Sequence, residues 1–403
     1  MSLTSQTILD TLKAIQDPDL HKDIVTLGFI KDVKINGGMV GFTIELTTPA
    51  CPVKDQMKAQ AESLIGALPG VTSVSVNMTA QVRARGGMTS QAIPGIRNVV
   101  AVGAGKGGVG KSTTTVNLAI ALAQKGARVG VMDADVYGPN LPQMLGIEME
   151  PGAIELTADQ KMIPPMAHGI KALSIGMLVP KDQAVIWRGP MLHSAVQQFM
   201  RDVAWGELDY LLVDLPPGTG DVAISLAQSV GVAGAVVVTT PQGVSVSDVR
   251  KAIMMFQKLN IPVLGVVENM SYFACPHCNE RTEIFGKGGG ASIANDLKIP
   301  LLGDVPIDTR VRSGGDEGLP VVVAAPDSPA ALAFSEIASK VARATGSAPR
   351  AAARSGGTST VRGAVSSSSV TSISWPPTSP DAARCSALTP THVSPPITAS
   401  VFR

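Results

Sequence analysis

Continuous apolar runs alternate with segments of helical periodicity through the middle of the chain. Five of these runs have a centre rich in Val, Leu and Ile: RNVVAVG (97–103), RVGVMDAD (128–135), YLLVDLP (210–216), GAVVVTT (234–240) and PVLGVVEN (262–269). Strands without polar alternation are buried on both faces, as in a parallel sheet that is covered by helices. The pattern therefore predicts an α/β domain over residues 97–345, with a mainly parallel sheet between two layers of helices.

Residues 1–82 have a different pattern and predict a small α/β domain in front of the larger one. The predicted elements are a helix (3–16), two strands (29–35 and 39–46), a second helix (51–68) and a third strand (71–78). Thr4 or Ser5 is a suitable N-cap for the first helix. The Asn-Gly-Gly sequence at 36–38 is a turn signal, so the first two strands should form a hairpin.

Two further segments lack regular periodicity. Residues 83–96 contain Gly, Ser, Thr and Pro and are interpreted as a linker. Residues 346–403 are rich in Ser, Thr, Gly and Pro and contain no Lys, and such a composition predicts a disordered tail.

Composition narrows the classes of function. The chain of 403 residues is 45% hydrophobic and 16% charged, with a net charge of +1 and only 3% aromatic residues. This near-neutral balance creates no strong electrostatic field that would attract nucleic acid or a membrane non-specifically, so neither is an expected partner. The first residues lack an export signal, and no apolar run reaches the roughly 18 residues of a spanning helix. The expected location is the cytoplasm.

The segment GKGGVGKS, residues 105–112, is the strongest chemical signal in the chain. It matches GxxxxGK[ST] and lies between an apolar strand and a predicted helix at 112–124, which is the setting of a phosphate-binding P-loop. Lys111 should reach the β- and γ-phosphates of ATP, and Ser112 should bind Mg²⁺. The predicted nucleotide-binding residues here are Gly105, Lys106, Gly107, Gly108, Val109, Gly110, Lys111, Ser112 and Thr113.

Three aspartates follow apolar strands in the order that a P-loop enzyme requires. Asp133 and Asp135 end one strand and Asp214 ends another, and ligands bind at the carboxyl ends of strands in open α/β sheets. Asp133 and Asp214 are candidate metal ligands, with Asp214 holding Mg²⁺ directly or through water. Gly218 lies in the next loop, where its N–H is placed to contact the γ-phosphate.

Two of the four cysteines form a CxxC pair, Cys275 and Cys278, around Pro276 and His277. In a reducing compartment such a pair is more often metal-binding or redox-active than structural. It is half a metal site, because no second CxxC occurs in the sequence. From the residues alone, two thiols at this spacing can close a disulfide, hold a metal or have no role. A redox CxxC normally opens a helix after a strand, whereas this pair follows Asn269 and Met270 in a predicted loop.

The extra lysine of the loop, Lys106, resembles that of the deviant Walker A ATPases, whose pattern is KGGxGK[ST] and which include the nitrogenase iron protein, MinD and ParA. The resemblance implies that Lys106 reaches the nucleotide of a partner subunit and that Asp135 positions the attacking water. It makes Lys106, Lys111 and Asp135 the catalytic candidates. It also implies that Asn269 contacts adenine and that Pro306 and Asp308 lie on the base side.

Within that class, residues 97–345 resemble the Mrp/ApbC family of ATP-binding iron–sulfur cluster carriers. The motifs are KGGVGKST, DADVYGPN, WRGPM, DLPPGTGD, ENMSYFACPHC and FGKGGG, and the N-terminal DPDL, LGFI and TTPACP resemble a SufT-like domain. The resemblance implies a homodimer in which Cys275, Cys278 and their symmetry mates hold a labile [4Fe–4S] cluster for transfer to apoproteins. It further implies that slow ATP hydrolysis acts as a switch.

Several alternatives stay open at this point. A zinc-bridged dimer and a redox or inert CxxC compete with the cluster, and His277 is interpreted as a spacer. A MinD- or ParA-like positioning ATPase is the second function, although the tail offers neither an amphipathic helix nor a basic face. Cys51 has two interpretations: a transient contact of the cluster or of a partner protein, or a plain buried cysteine. Cys385 in the tail is interpreted as incidental.

Overall fold

The structure is a computed structural model. It describes residues 3–18, 22–47, 53–80, 93–136, 138–149, 153–178, 189–218, 220–275, 277–278 and 280–346. Cys51, Cys385, most of the predicted linker and nearly all of the predicted tail lie outside these ranges.

Helices and strands alternate along most of the described chain. The helices are α1 (Ser5–Leu12), α2 (Lys54–Gly66), α3 (Lys111–Gln124), α4 (Leu141–Met144), α5 (Gly189–Arg201), α6 (Asp221–Ser229), α7 (Gly243–Lys258), α8 (Gly289–Leu297), α9 (Thr309–Asp316), α10 (Val321–Ala324) and α11 (Pro329–Gly346), with a 3-10 turn at Ile175–Met177. The strands are β1 (Gln16–Asp17), β2 (Lys22–Asp23), β3 (Ile30–Asn36), β4 (Met39–Leu46), β5 (Ser73–Ala80), β6 (Ile96–Ala104), β7 (Val129–Asp133), β8 (Met166–Ala167), β9 (Ile170–Ser174), β10 (Leu208–Asp214), β11 (Val232–Thr239), β12 (Val263–Ala274), β13 (Arg281–Thr282) and β14 (Leu301–Ile307). No helix among the described residues is long and apolar enough to cross a membrane.

The N-terminal region is a small α/β unit with its own core. Strands β3 and β4 form an antiparallel hairpin, as the turn signal predicts, and β5 pairs in parallel with β4 after the crossover through α2. The N-cap of α1 is Thr4, whose side chain accepts a hydrogen bond from the Thr7 N–H at 3.2 Å. The centre of the core consists of Ile8, Leu12, Phe42, Ile44 and Met57, all buried.

The larger region is built on one mainly parallel sheet. The order of its described strands is β13-β12-β11-β6-β10-β7-β9-β8, and β14 pairs with β12 as well. Only the short strands β8 and β13 run antiparallel to their neighbours in this described sheet. The carboxyl ends of β6, β7, β10, β11, β12 and β14 therefore meet along one edge, where ligands of open α/β sheets bind.

Each face of this sheet has its own apolar core, which explains the unbroken apolar runs. Along β6, Val100 and Val102 point into one core, which α3 and α11 cover. The alternate residues Val99 and Ala101 point into the other core, which α5, α6 and α7 cover. A strand with apolar residues on both faces can be stable only between two helical layers, so the predicted fold class is confirmed.

Two predicted boundaries were wrong. Ile96 belongs to β6 rather than to a linker. Strand β12 does not close at Asn269 but continues to Ala274, with Met270 at a positive φ of 56°. Pairing with β14 shifts register after Asn269 and resumes at Phe273, and β13 pairs with the end of the strand. These pairings carry β12 beyond the point where its apolar run stops.

Candidate nucleotide and cysteine site

The P-loop connects β6 to α3 at the carboxyl edge of the sheet. Gly108 and Gly110 have φ values of +79° and +81°, which side chains rarely adopt. Gly105 lies against the α7 backbone at Asp248, where even a Cβ atom would collide. The glycines thus let the loop turn tightly and approach α7, as a phosphate-binding loop requires.

Lys111 lies in an acidic environment at the first turn of α3. Its Nζ donates to Asp214 Oδ2 at 2.7 Å and lies 3.4 Å from Asp135 Oδ2. All three side chains are almost fully buried. The structure therefore brings the predicted lysine together with the two predicted aspartates, although they are distant in sequence.

Asp214 is held by two hydroxyl groups as well. Ser112 Oγ donates to its Oδ2 at 2.6 Å, and Thr115 Oγ1 donates to its Oδ1 at 2.7 Å. Thr115 was missed in the sequence analysis, although its position one helical turn after Lys111 places it on the same face of α3. Adjacent hydroxyl and carboxylate oxygens are the ligands that Mg²⁺ prefers, so Ser112 and Asp214 fit the predicted magnesium site.

Asp133 is buried and is fully engaged by protein groups. Its carboxylate accepts hydrogen bonds from the Asp135 N–H at 3.1 Å, the Leu141 N–H at 3.3 Å and Ser174 Oγ at 2.9 Å. Burial and the nearby charge of Asp214, which lies opposite Asp133 on β10, raise the pKa of Asp133 to about 7. In this structure Asp133 organises the loop after β7, and its role as a metal ligand stays a prediction.

Two other predicted nucleotide contacts have protein partners here. Lys106 Nζ lies 3.4 Å from Gln242 Oε1, just before α7. The Gly218 N–H donates to the Ala104 carbonyl at 2.9 Å. Each group would have to exchange this partner for a phosphate or for the partner subunit, so both roles stay predictions.

Asn269 lies beneath the P-loop. Its side-chain amide donates to the Val109 carbonyl at 2.9 Å. A Cβ atom on Gly110 would collide with the same amide nitrogen, so Gly110 makes room for Asn269. The structure thus places Asn269 against the loop itself, and the predicted contact with adenine stays a prediction.

Pro306 and Asp308 lie at the end of β14, on the same edge of the sheet. Asp308 is the N-cap of α9 and accepts from the Arg310 N–H at 2.9 Å, while the Arg310 guanidinium lies 2.7 Å from its carboxylate. These contacts explain Asp308 as a helix cap, and a contact with the base stays a prediction.

The CxxC pair occupies a hairpin turn that continues β12. The Cys275 N–H donates to the Glu280 carbonyl at 3.0 Å, and the Arg281 guanidinium lies 4.2 Å from the centre of the Tyr272 ring. These contacts hold the two limbs of the hairpin together at its base. Both thiols are free, with Cys275 partly exposed and Cys278 exposed.

Hydrogen bonds in the turn favour the thiolate of Cys275. The backbone N–H groups of His277 and Cys278, together with the Cys278 side chain, lower the pKa of the Cys275 thiol. A thiolate is the form that binds metals. Among the described residues, no group of three or more His, Cys, Asp or Glu side chains is placed to hold a metal ion.

Two family profiles match the chain. The profile of the NUBPL iron-transfer P-loop NTPase covers residues 95–342. A profile described as iron–sulfur cluster assembly protein covers residues 5–76. The two matches correspond to the larger sheet with its helices and to the small N-terminal α/β unit.

Similar proteins are known from several bacteria. An iron–sulfur cluster carrier protein of Synechocystis sp. is 48% identical over 343 residues, which cover 84% of this chain and 97% of that protein. An iron–sulfur cluster carrier protein of Deinococcus radiodurans is 50% identical over 340 residues, which cover 84% and 95%. Among solved structures, a nucleotide-binding protein from Archaeoglobus fulgidus in complex with ADP has 40% identity and a TM-score of 0.49, over 56% of this chain and 88% of that chain.

Proposed function

The chain belongs to the family of NUBPL iron-transfer P-loop NTPases, and from this premise we propose that it is an ATP-dependent carrier of iron–sulfur clusters. The observation that carries the proposal is the common position of the two sites. The P-loop follows β6 and the CxxC hairpin follows β12, and these parallel strands end at the same edge of the sheet. A nucleotide and a cluster would therefore be bound at the same edge of the sheet, connected by strand β12.

ATP is the proposed substrate of the P-loop. The loop N–H groups and the N-terminus of α3 would bind its phosphates, and Lys111 would turn from Asp214 toward the β- and γ-phosphates. Ser112 and Asp214 would hold Mg²⁺, which supplies neutralisation of the phosphate charge when bound. Asp135, already near Lys111, would position the attacking water.

The proposed cargo is a [4Fe–4S] cluster between two copies of the chain. Each chain contributes Cys275 and Cys278, and four thiolates complete the ligand set of one cluster. The cysteines lie on an accessible turn, which suits a cluster that must be released to an apoprotein. Lys106 would contact the partner's nucleotide, so ATP would stabilise the same dimer that holds the cluster.

Hydrolysis would then act as a slow switch between cluster-holding and cluster-releasing dimers. The proposed location is the cytoplasm, where thiols stay reduced. Recipient apoproteins are the proposed partners, and neither nucleic acid nor a membrane is part of the proposal.

Anaerobic reconstitution with iron and sulfide tests the proposal. Wild-type protein should gain the visible and Mössbauer spectra of a [4Fe–4S] cluster, with iron and sulfide counted per dimer. A Cys275→Ala/Cys278→Ala variant should lose this cluster. Cys385→Ala is the matched control, because it removes one thiol from the tail and should reconstitute like wild type.

Two results would contradict the cluster. A Cys275→Ala/Cys278→Ala protein that holds as much iron and sulfide as wild type would refute the assignment of these cysteines as cluster ligands. Zinc at one ion per dimer in anaerobically purified protein, lost in the same double variant, would replace the cluster by a zinc bridge.

A further inference from the structure

Strand β12 is part of both sites. In its middle, Asn269 donates a hydrogen bond to the Val109 carbonyl of the P-loop at 2.9 Å. The strand ends at Ala274, and Cys275 is the next residue. The six residue steps from Asn269 to Cys275 span at most about 20 Å, since the register shift against β14 shortens this part of the strand. One strand therefore joins a P-loop contact directly to the cysteine hairpin.

The Asn269 contact is built into the site. Asn269 is 5% exposed, so its amide is shielded from water. Gly110 has no side chain where a Cβ atom would collide with the Asn269 amide. The next residue, Met270, has a positive φ of 56°, at the point where β12 changes its register against β14. A strained residue at this point supports a defined position for Asn269.

The P-loop must rearrange when a nucleotide binds. In this structure Lys111 is paired with Asp214 at 2.7 Å and lies 3.4 Å from Asp135. Phosphates compete for the same ammonium group. Val109 is two residues before Lys111 in the same loop, so a change of partner at Lys111 reaches the carbonyl that Asn269 holds.

Strand β12 is anchored on both sides of Asn269. The Glu268 carboxylate accepts a hydrogen bond from the Gly290 N–H, in the first turn of α8. Ser271 Oγ donates to the Val305 carbonyl at 3.2 Å, which ties β12 to β14. The Glu268 contact therefore fixes β12 before Asn269, and a displacement of Asn269 passes along the following residues to Ala274 and the cysteine turn.

We propose that Asn269 is a positioning residue that transmits nucleotide binding at the P-loop to the reactivity of Cys275 and Cys278. The role rests on the proposed function, because it supplies the physical link between ATP and the cluster ligands. This link gives a role to Asn269, which is one of three buried polar residues of the described strand β12, together with Glu268 and Ser271.

The test measures thiol reactivity in the full chain. In a Cys51→Ser/Cys385→Ser background, only Cys275 and Cys278 react with a chromogenic disulfide, and the rate is measured with and without saturating MgATP. In this parent, ATP should change the rate about fivefold or more, the lower end of typical coupling between sites. In Asn269→Ala, and in Asn269→Asp, which cannot donate to a carbonyl, the two rates should become equal.

Ser271→Ala is the matched control, because it removes a hydrogen bond of the same strand that does not reach the P-loop. It should keep the parent's ratio of rates. ATP binding is followed separately with a fluorescent analogue, so that each ratio is taken at saturation. Iron and sulfide are absent from the assay, so a failure of the carrier function would leave this result unchanged.

Three outcomes would overturn the coupling role. The first is a parent that binds ATP with no change in thiol reactivity. The second is an Asn269 variant that keeps the parent's ratio. The third is an Asn269→Asp variant that folds but binds no nucleotide at any concentration, which would assign Asn269 to the nucleotide site itself.

Discussion

Replacing Asp133 with Asn should change how the stability of the nucleotide-free protein depends on pH. The folded pKa of Asp133 is about 7, against 3.8 for an exposed aspartate, because the carboxyl is buried and faces Asp214. The folded state therefore keeps a proton that the unfolded state loses between about pH 4 and pH 7. Stability attributable to this proton is present at low pH and is lost as the pH rises through this window.

The magnitude follows from the two pKa values. Each unit of difference corresponds to about 1.4 kcal/mol, so a charged Asp133 lowers the free energy of unfolding by about 4 kcal/mol above pH 8. Between pH 5 and pH 8, ionisation of Asp133 lowers the free energy of unfolding of the wild type by about 2 to 3 kcal/mol. Asn does not ionise, so the stability of Asp133→Asn relative to wild type should rise by this amount. In the variant, Asn replaces the Asp133 hydrogen bonds with weaker ones, and this lowers the stability of the variant by an amount that does not depend on pH.

Urea unfolding in EDTA at a series of pH values measures this difference. The sequence contains three tryptophans, Trp187, Trp205 and Trp375, and Trp205 is buried in the core of the larger sheet. The titrations therefore use a Trp187→Phe/Trp375→Phe background, in which fluorescence reports on Trp205 alone. Asp308→Asn is the control. Burial acts to raise the pKa of Asp308, but hydrogen bonds from Arg310 outweigh it and hold the pKa below 3.8. Its difference from wild type should stay flat above pH 5. A flat difference for Asp133→Asn as well would refute the reasoning.

Three further predictions follow from the same site. Gly110→Ala should abolish binding of a fluorescent ATP analogue, because the φ of +81° disfavours a side chain and the Cβ atom would collide with Asn269; wild-type affinity would refute this. Thr115→Val should lower the free energy of unfolding by about 1–3 kcal/mol in urea titrations, because Asp214 loses a buried hydrogen-bond donor, and Thr113→Val, which leaves Asp214 untouched, is its control. Lys106→Gln should weaken ATP-driven dimerisation in sedimentation experiments while leaving the monomer folded, and unchanged ATPase activity at saturating ATP would count against the cross-subunit role.

The fold could be predicted because its signal is local. Apolar runs and a P-loop at the end of one of them are enough to predict a parallel sheet, and strand ends bring Asp135 and Asp214 to Lys111. Thr115 and the partner of Asn269 could not be predicted in the same way. The Thr115 contact depends on how closely α3 packs against the end of β10, and the Asn269 contact depends on how closely β12 packs against the P-loop. The extent of β12 was missed because pairing with β13 and β14, rather than hydrophobic pattern, continues it past Asn269.

The second glycine-rich segment, FGKGGG, shows that packing decides whether a glycine-rich loop before a helix can bind a phosphate. It precedes α8 as the P-loop precedes α3, and Gly286 and Gly288 have φ values of +91° and +67°. Such a segment also directs N–H groups toward an anion. Here the anion is the protein's own Glu268 carboxylate, which accepts from the Gly290 N–H and leaves no room for a side chain at Gly290. The segment therefore anchors α8 to β12, next to the P-loop contact at Asn269. The two loops also differ in the surroundings of their lysines. Lys287 of FGKGGG pairs with Glu283 at the surface, whereas Lys111 and Ser112 of the P-loop meet the buried Asp214 carboxylate, as phosphate transfer requires.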